Sequence, residues 1–168
     1  MTRTRLLKLL AATTALAACS PAREAAMPMA ADPLRFVDAY MVAWNEHDAE
    51  QAAASFADTV TYYDASVGTP QVGRENARKN VIEAFITAVP DCKWTRDGDP
   101  VVSKMGDAVA FQWTFSGTNI GPWADGTKAT GKKFQLHGLT LIRIKDNLIV
   151  YQGDYYDALG FYKQLGLM

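Results

Sequence analysis

The chain has 168 residues, of which 49% are hydrophobic and 21% are charged, and 17 basic side chains nearly balance 18 acidic ones. This composition is typical of a single globular domain. A formal net charge of -1 provides no electrostatic attraction for nucleic acid, and an aromatic content of 11% argues against a disordered chain. We therefore expect a folded protein that does not bind nucleic acid.

The first residues have the pattern of an export signal. Basic side chains at positions 3, 5 and 8 precede an apolar run over residues 6–18, which is shorter than the ~20 residues that span a bilayer. The run ends in Leu16-Ala17-Ala18-Cys19, which resembles the lipobox of bacterial lipoproteins. A plain secretory signal, cut after Ala17, is the alternative.

The lipobox resemblance implies that Cys19 is acylated and becomes the new N-terminus. Residues 1–18 would then be a removed signal peptide, residues 19–31 a small, proline-containing tether, and residues 32–168 the folded domain. Ser20 follows the cysteine in place of the aspartate associated with inner-membrane retention. We expect a protein anchored in the bacterial outer membrane, facing the periplasm, that meets the membrane only through its lipid.

Helical patterns occupy the first part of the domain. Asp32 before Pro33 is a helix start, and apolar residues then recur at helical spacing through Trp44. Asp48 and Gln51 form a capping box for a second short helix that should reach about Phe56. A third helix is predicted before Pro90, with a buried stripe at Ala77, Val81, Ala84, Phe85 and Ala88.

Strand patterns follow the helices. A β-branched and aromatic segment covers residues 59–63, and after Pro90 the apolar period changes to two. Four segments separated by turn residues predict an antiparallel meander over 92–103, 108–118, 132–145 and 148–156, with a closing helix over 157–164. The predicted class is α+β, with helices covering one face of a curved sheet.

Several short motifs together carry a family resemblance over residues 32–168. In order they are Ala43-Trp44-Asn45-Glu46-His47-Asp48, Asp58-Thr59-Val60-Thr61-Tyr62, Val89-Pro90-Asp91 with Trp94, Ser116-Gly117-Thr118, and Asp157-Ala158-Leu159-Gly160 through Gln164-Leu165-Gly166. The set resembles the SnoaL-like, or polyketide-cyclase-like, branch of the nuclear transport factor 2 superfamily. That resemblance implies a cone of helices on a curved antiparallel or mixed sheet, with an internal apolar pocket. Members are often dimeric, so a homodimer is left open.

Asp154 is the first candidate catalytic residue. It interrupts a strand of Ile, Val and Tyr, so its carboxylate faces either solvent or a pocket, and a pocket would raise its pKa toward the value of a general acid or base. The resemblance implies the same role, since cyclases and epoxide hydrolases of this superfamily carry an essential aspartate in the last strand. Asp157 matches a second acidic position, although it could simply cap the closing helix.

His137 is a third candidate catalytic residue, and its position depends on the hairpin that follows it. A two- or four-residue loop would place it opposite Tyr156 and on the same face as Asp154. A three-residue loop would place the histidine and Asp154 on opposite faces. Both registers are compatible with the sequence.

The predicted pocket is aromatic. Its expected lining residues are Trp44, Tyr62, Tyr63, Gln112, Thr114 and Trp123. Gln112 and Thr114 share one face of a strand, with Trp113 on the other. Epoxide hydrolases of the superfamily carry Arg and Asp at what look like the Gln112 and Thr114 positions, so the resemblance does not extend to that activity.

The remaining motifs favour chemistry without a cofactor. Two histidines 90 residues apart and one free cysteine, Cys92, do not form a metal-ligand cluster, and phosphate-binding and nucleophile motifs are absent from the sequence. The resemblance suggests acid–base catalysis of isomerisation, cyclisation or dehydration of a small apolar carbonyl compound. The alternative is a non-catalytic module that binds a small molecule or assembles with a protein in the cell envelope.

Substitution of Cys19 tests the predicted location. Acyl chains contribute ~0.8 kcal/mol per buried methylene, so a triacylated protein should stay with the membrane, whereas Cys19→Ala should be released. Fractionation of the bacterial host followed by immunoblotting measures the distribution. A wild-type protein that is soluble and begins at Ala18 would contradict lipidation.

Overall fold

A computed structural model describes residues 32–168, so Cys19 and the predicted signal and tether lie outside the described residues. The elements are, in chain order, α1 (Pro33–Asn45), α2 (Ala49–Ala54), β1 (Phe56–Asp64), β2 (Gln71–Val72), α3 (Arg74–Ala77), a π-helical stretch (Arg78–Glu83), α4 (Ala84–Ala88), β3 (Lys93–Val102), β4 (Ala108–Thr118), β5 (Lys133–Lys145), β6 (Leu148–Tyr156) and α5 (Ala158–Leu165). Over this part of the chain, no helix combines the length and apolar character needed to cross a membrane.

The helix starts follow the predicted capping chemistry. The Asp32 carboxylate accepts hydrogen bonds from the backbone N–H groups of Leu34 and Arg35, and the Asp48 carboxylate accepts one from Gln51. The second helix is shorter than predicted because it ends at Ala54, and Phe56 already begins β1. These caps fix the residue at which each helix begins, and with it the direction in which the apolar face of the helix points.

The third predicted helix contains a π-helical stretch that the apolar pattern did not reveal. Ala77, Val81, Phe85 and Ala88 are buried as predicted, but Ile82 is also fully buried and Ala84 is only half-buried. A π turn holds more residues than an α turn, so the residues after it are rotated about the helix axis. This rotation turns Ala84 partly outward and leaves Phe85 directed into the core.

The six strands form one sheet in the order β2-β1-β6-β5-β4-β3. Strands β3 to β6 are an antiparallel meander, as predicted, and β1 pairs with β6 in parallel. Helices pack on one face of this curved mixed sheet, so the predicted α+β class is confirmed. The parallel pairing brings the first long strand beside the last one.

The β5–β6 hairpin has a two-residue loop, but its register changes further along. Asp146 and Asn147 have φ angles of 52° and 59°, the positive values of a type I′ turn, and Lys145 pairs with Leu148. A β-bulge then leaves Val150 without a partner on β5. Beyond this bulge every β6 residue faces the opposite side from the one that the turn alone would give.

Replacement of Asp32 tests the first cap. Asp32→Ala should lower the free energy of unfolding by ~1 kcal/mol because two backbone N–H groups lose their acceptor, whereas Asp32→Asn should retain most of the stability. Urea denaturation measures both differences. Equal losses in the two variants would contradict the capping role.

Candidate active site

Asp154 lies inside the cone, in a cage of hydrogen-bond donors. Its side chain is buried, with 6% exposure. Tyr62 Oη donates to Oδ2 at 2.6 Å, Thr140 Oγ1 donates to Oδ1 at 2.5 Å, and Gln152 Nε2 lies 3.1 and 3.3 Å from the two carboxylate oxygens. These donors come from β1, β5 and β6, so the carboxylate is fixed from three neighbouring strands.

An indole N–H orients the Thr140 hydroxyl toward Asp154. Trp113 Nε1 donates to Thr140 Oγ1 at 2.8 Å. A hydroxyl group has one hydrogen to donate and an oxygen that can accept. Because the Thr140 oxygen accepts from Trp113, the Thr140 hydrogen is left to donate to the carboxylate. A second indole N–H also donates to a buried hydroxyl, since Trp44 Nε1 donates to Tyr40 Oη at 2.8 Å.

A second buried carboxylate, Asp64, pairs with Asp154 in the parallel β1–β6 register. Asp64 is 4% exposed and accepts hydrogen bonds from the backbone N–H groups of Ser66 and Val67 and from the Ser66 hydroxyl. Tyr156 Oη also donates to it, at 2.9 Å from Oδ1 and 3.1 Å from Oδ2. Asp64 therefore has a donor set that favours its ionised form.

The two carboxylates differ in what shifts their pKa values. The pKa of Asp154 is raised to about 7, first by burial away from water and then by the negative charge of Asp64, against the opposing effect of hydrogen bonds from Thr140, Tyr62 and Gln152. Burial also raises the pKa of Asp64, while hydrogen bonds from Ser66 and Tyr156 counteract that shift. Asp154 is thus a carboxyl group that exchanges its proton near neutral pH.

Both carboxylates open onto a narrow apolar cavity, here called the inner cavity. Its other lining residues are mostly aromatic: Trp44, Tyr62, Val81, Phe85, Trp94, Trp113, Phe115, Leu136 and Tyr156. The free space between these side chains is about 30 Å³, room for one or two water molecules. An organic substrate would enter only if some of the lining side chains moved.

The structure places His137 on the opposite face of the sheet from Asp154, so the register that would have brought the two side chains together does not occur. The bulge at Val150 places Thr140 opposite Asp154, so the histidine is on the outer face of the sheet. There its side chain is 67% exposed, and Nδ1 lies 3.1 Å from Thr114 Oγ1. Neither hairpin considered from the sequence contained this bulge.

Asp157 is a helix cap and lies outside the cavity. Its Oδ1 accepts a hydrogen bond from Gly160 N at 2.8 Å at the start of α5, and the side chain is exposed. The structure thus gives Asp157 the capping contact of the alternative interpretation and does not bring its side chain to the inner cavity.

Of the predicted lining residues, Trp44 and Tyr62 line the inner cavity. Tyr63 instead packs against Tyr155, whose side chain is exposed, with ring centroids 5.6 Å apart. Trp123 contacts the core edge-on through Phe85, at a centroid distance of 5.4 Å, but does not line the inner cavity.

Gln112 and Thr114 share a strand face as predicted, but it is the outer face. Trp113, between them, points inward and lines the cavity. Because the side chains at 112 and 114 face away from the cavity, the residues found there do not bear on epoxide hydrolysis inside it.

Four residues of the site were missed at the sequence level, namely Asp64, Thr140, Gln152 and Tyr156. Asp64 could have been found from the period-two alternation in β1, since Val60, Tyr62 and Asp64 share the buried face. The same alternation places Gln152 and Tyr156 beside Asp154 on β6. Thr140 could be identified only with the register of the bulged hairpin.

The described residues contain no group of three or more His, Cys, Asp and Glu side chains placed to hold a metal ion. Cys92 is buried, and burial raises the pKa of its thiol to about 12. The thiol is therefore protonated at neutral pH and is a poor nucleophile.

Comparison with known proteins assigns the family. The family model for SnoaL-like polyketide cyclases matches residues 34–165, so this chain belongs to that family, as the sequence motifs predicted. No curated protein matches the sequence.

Solved structures share the fold. TsrD from Streptomyces laurentii is 27% identical, with a TM-score of 0.67 over 80% of this chain and 95% of that one. A protein of Jannaschia sp. CCS1 assigned to the SnoaL-like polyketide cyclases has a TM-score of 0.70 at 14% identity, covering 84% of this chain and 96% of that one. A nuclear transport factor 2-like protein from Burkholderia pseudomallei has a TM-score of 0.64 at 14% identity, over 79% and 96% of the two chains. The predicted cone fold is confirmed.

The pH dependence of stability tests the buried charge of Asp154. Its pKa is about 7 in the folded protein against an ordinary value of 3.8, so between these values the folded state holds a proton that the unfolded chain has released. Raising the pH through this interval therefore destabilises the wild type. Relative to wild type, Asp154→Asn should gain up to about 4 kcal/mol in free energy of unfolding between about pH 4 and about pH 8.

Urea denaturation at a series of pH values measures this gain. The exposed cap variant Asp157→Asn is the matched control and should follow the wild-type profile. If the free energies of unfolding of wild type and Asp154→Asn changed in parallel with pH, the carboxylate would titrate in the folded protein as it does in the unfolded chain.

Proposed function

We propose that the inner cavity catalyses proton transfer on a small apolar carbonyl compound, as in isomerisation, cyclisation or dehydration, with Asp154 as the general base. The observation that carries this proposal is that the Asp154 carboxylate, which has a pKa of about 7, is held in place inside an aromatic cavity. A base of that pKa is partly ionised at neutral pH and strong enough to accept a proton from a carbon acid. The proposed step moves a proton and needs no electron acceptor.

Asp64 would support this base through its charge. Its backbone and hydroxyl donors favour its ionised form against the effect of burial, and its negative charge raises the proton affinity of Asp154. The neighbouring Tyr62 hydroxyl has a second use in the proposal. When Asp154 takes the substrate proton, Tyr62 is released from a charged acceptor and can donate to the oxygen on which enolate charge develops.

The alternative is a non-catalytic module that binds a small molecule or assembles with a protein. The observation that favours it is the size of the inner cavity, since aromatic side chains leave only about 30 Å³ of free space. A cavity that stayed filled by its own side chains would support packing but no substrate. The two proposed functions therefore differ in whether those side chains can move aside to admit a substrate.

The location and assembly stay proposals. Outer-membrane attachment rests on the sequence around Cys19, and a homodimer rests on the family resemblance alone. Attachment through the 13-residue segment 19–31 would leave the domain close to the membrane surface, where apolar compounds accumulate.

Deuterium exchange at the carbon next to the carbonyl group tests the proposed base. We expect wild type to accelerate exchange in a panel of cyclic and aromatic ketones, followed by NMR, and Asp154→Asn to lower the rate by roughly 10²–10⁴ because the amide cannot accept the proton. Asp157→Asn and His137→Gln are controls outside the cavity and should keep the wild-type rate. Exchange no faster than in buffer, or an unchanged rate in Asp154→Asn, would favour the binding module.

A further inference from the structure

A larger space lies outside the inner cavity, between α4, α5 and the segment 119–132. This outer chamber has a volume of about 600 Å³, within the range of pockets that hold small organic ligands. Its wall includes Ser66, Asn80, Ala84, Phe85, Trp123, Ala124, Asp125, Phe161 and Tyr162. The described part of the chain thus has two adjoining spaces of very different size.

Phe85 separates the two spaces, since its side chain lines both. The ring packs edge-on against Trp123 at 5.4 Å and against Phe115 at 5.8 Å. The inner cavity is too small for an organic molecule, whereas the outer chamber is not. A ligand seated in the outer chamber would therefore reach Asp154 only after Phe85 had turned aside.

Trp123 lies next to this partition with an unmet hydrogen-bond donor. Its Nε1 is buried and has no acceptor among the described residues. A buried donor without a partner has lost its hydrogen bond to water and gained none in exchange, so the indole N–H would gain from an acceptor. Rotation toward the outer chamber would let the N–H pair with an acceptor on a ligand.

The charge of the outer chamber limits which ligands can bind there. Asp125 is the charged side chain of the described wall, and its carboxylate accepts a hydrogen bond from Thr127 N at 2.8 Å, which favours the ionised form. A negative charge at the chamber repels anionic ligands. The other polar side chains of the wall are uncharged hydrogen-bonding groups, namely those of Ser66, Asn80, Trp123, Thr127 and Tyr162.

We propose that the outer chamber is a ligand-binding site for a largely apolar organic molecule that carries a hydrogen-bond acceptor and no negative charge, and that Phe85 and Trp123 are the partition that such a ligand displaces. Binding in the chamber does not depend on catalysis. Only the further step, in which the reactive end of the ligand reaches Asp154, rests on the proposed function.

Calorimetric titration of the full chain with two probes tests the site. Acetonaphthone is uncharged and has a carbonyl acceptor, and naphthoate has the same rings with a carboxylate. We expect acetonaphthone to bind at least tenfold more tightly than naphthoate, and Asp125→Asn to narrow that ratio because the repulsion is removed.

A variant that fills the outer chamber with a larger side chain tests the site directly. Ala84→Phe should weaken acetonaphthone binding at least tenfold, whereas Thr87→Phe, on the exposed side of the same helix, should leave it unchanged. Ala124→Trp fills the chamber from the 119–132 segment and serves if Ala84→Phe does not fold. In Trp123→Phe, which lacks the N–H, the affinity for acetonaphthone should fall while that for naphthalene stays the same.

Two results would overturn the proposal: no saturable binding of acetonaphthone to wild type, or wild-type affinity in both chamber-filling variants. The proposed function fails separately. If Asp154→Asn and wild type bind the probe equally and neither accelerates deuterium exchange, the chamber is a binding site without the proposed catalysis.

Discussion

The site depends on one hydrogen bond between neighbouring strands, from the Thr140 hydroxyl to the Asp154 carboxylate. It exists only because the bulge at Val150 moves β6 by one residue relative to β5. Without that extra residue the period-two alternation would turn Asp154 to the outer face and a tyrosine inward. A local irregularity in backbone pairing therefore decides which side chain occupies the centre of the cone.

Burying a carboxylate among aromatic rings is costly, and the surrounding structure offsets much of that cost. An unpaired buried charge would change its protonation or destabilise the fold by several kcal/mol. Here Tyr62, Thr140 and Gln152 supply donors, and Trp113 orients one of them. The aromatic core is thus also the support of a polar network, which is why plain hydrophobic packing and a candidate active site share the same residues.

Much of the fold was predictable because its signals are local. The Asp32 cap, the ends of β4 and β6 and the closing helix all follow from short patterns of residues. The side-chain directions in β6 were not predictable, since no sequence signal marks Val150 as the bulged residue. For the same reason the sequence left open whether His137 shares a face of the sheet with Asp154. Asp154 could be identified as an acid in an apolar strand, but its partner Asp64 depends on a parallel pairing between segments that are far apart in the chain.

That parallel pairing of β1 with β6 also affects how the protein folds. Tyr62 and Asp154 are 92 residues apart, so their hydrogen bond closes a long loop. Contacts of such sequence separation form slowly, because the entropy of loop closure is lost before the contact contributes. During synthesis the helices and the β3–β5 meander would emerge first, and the buried carboxylate would acquire its tyrosine partner only when the last strand docks. Assembly of the candidate site therefore coincides with closure of the sheet, so a partly folded chain lacks the buried carboxylate with its hydrogen-bond donors.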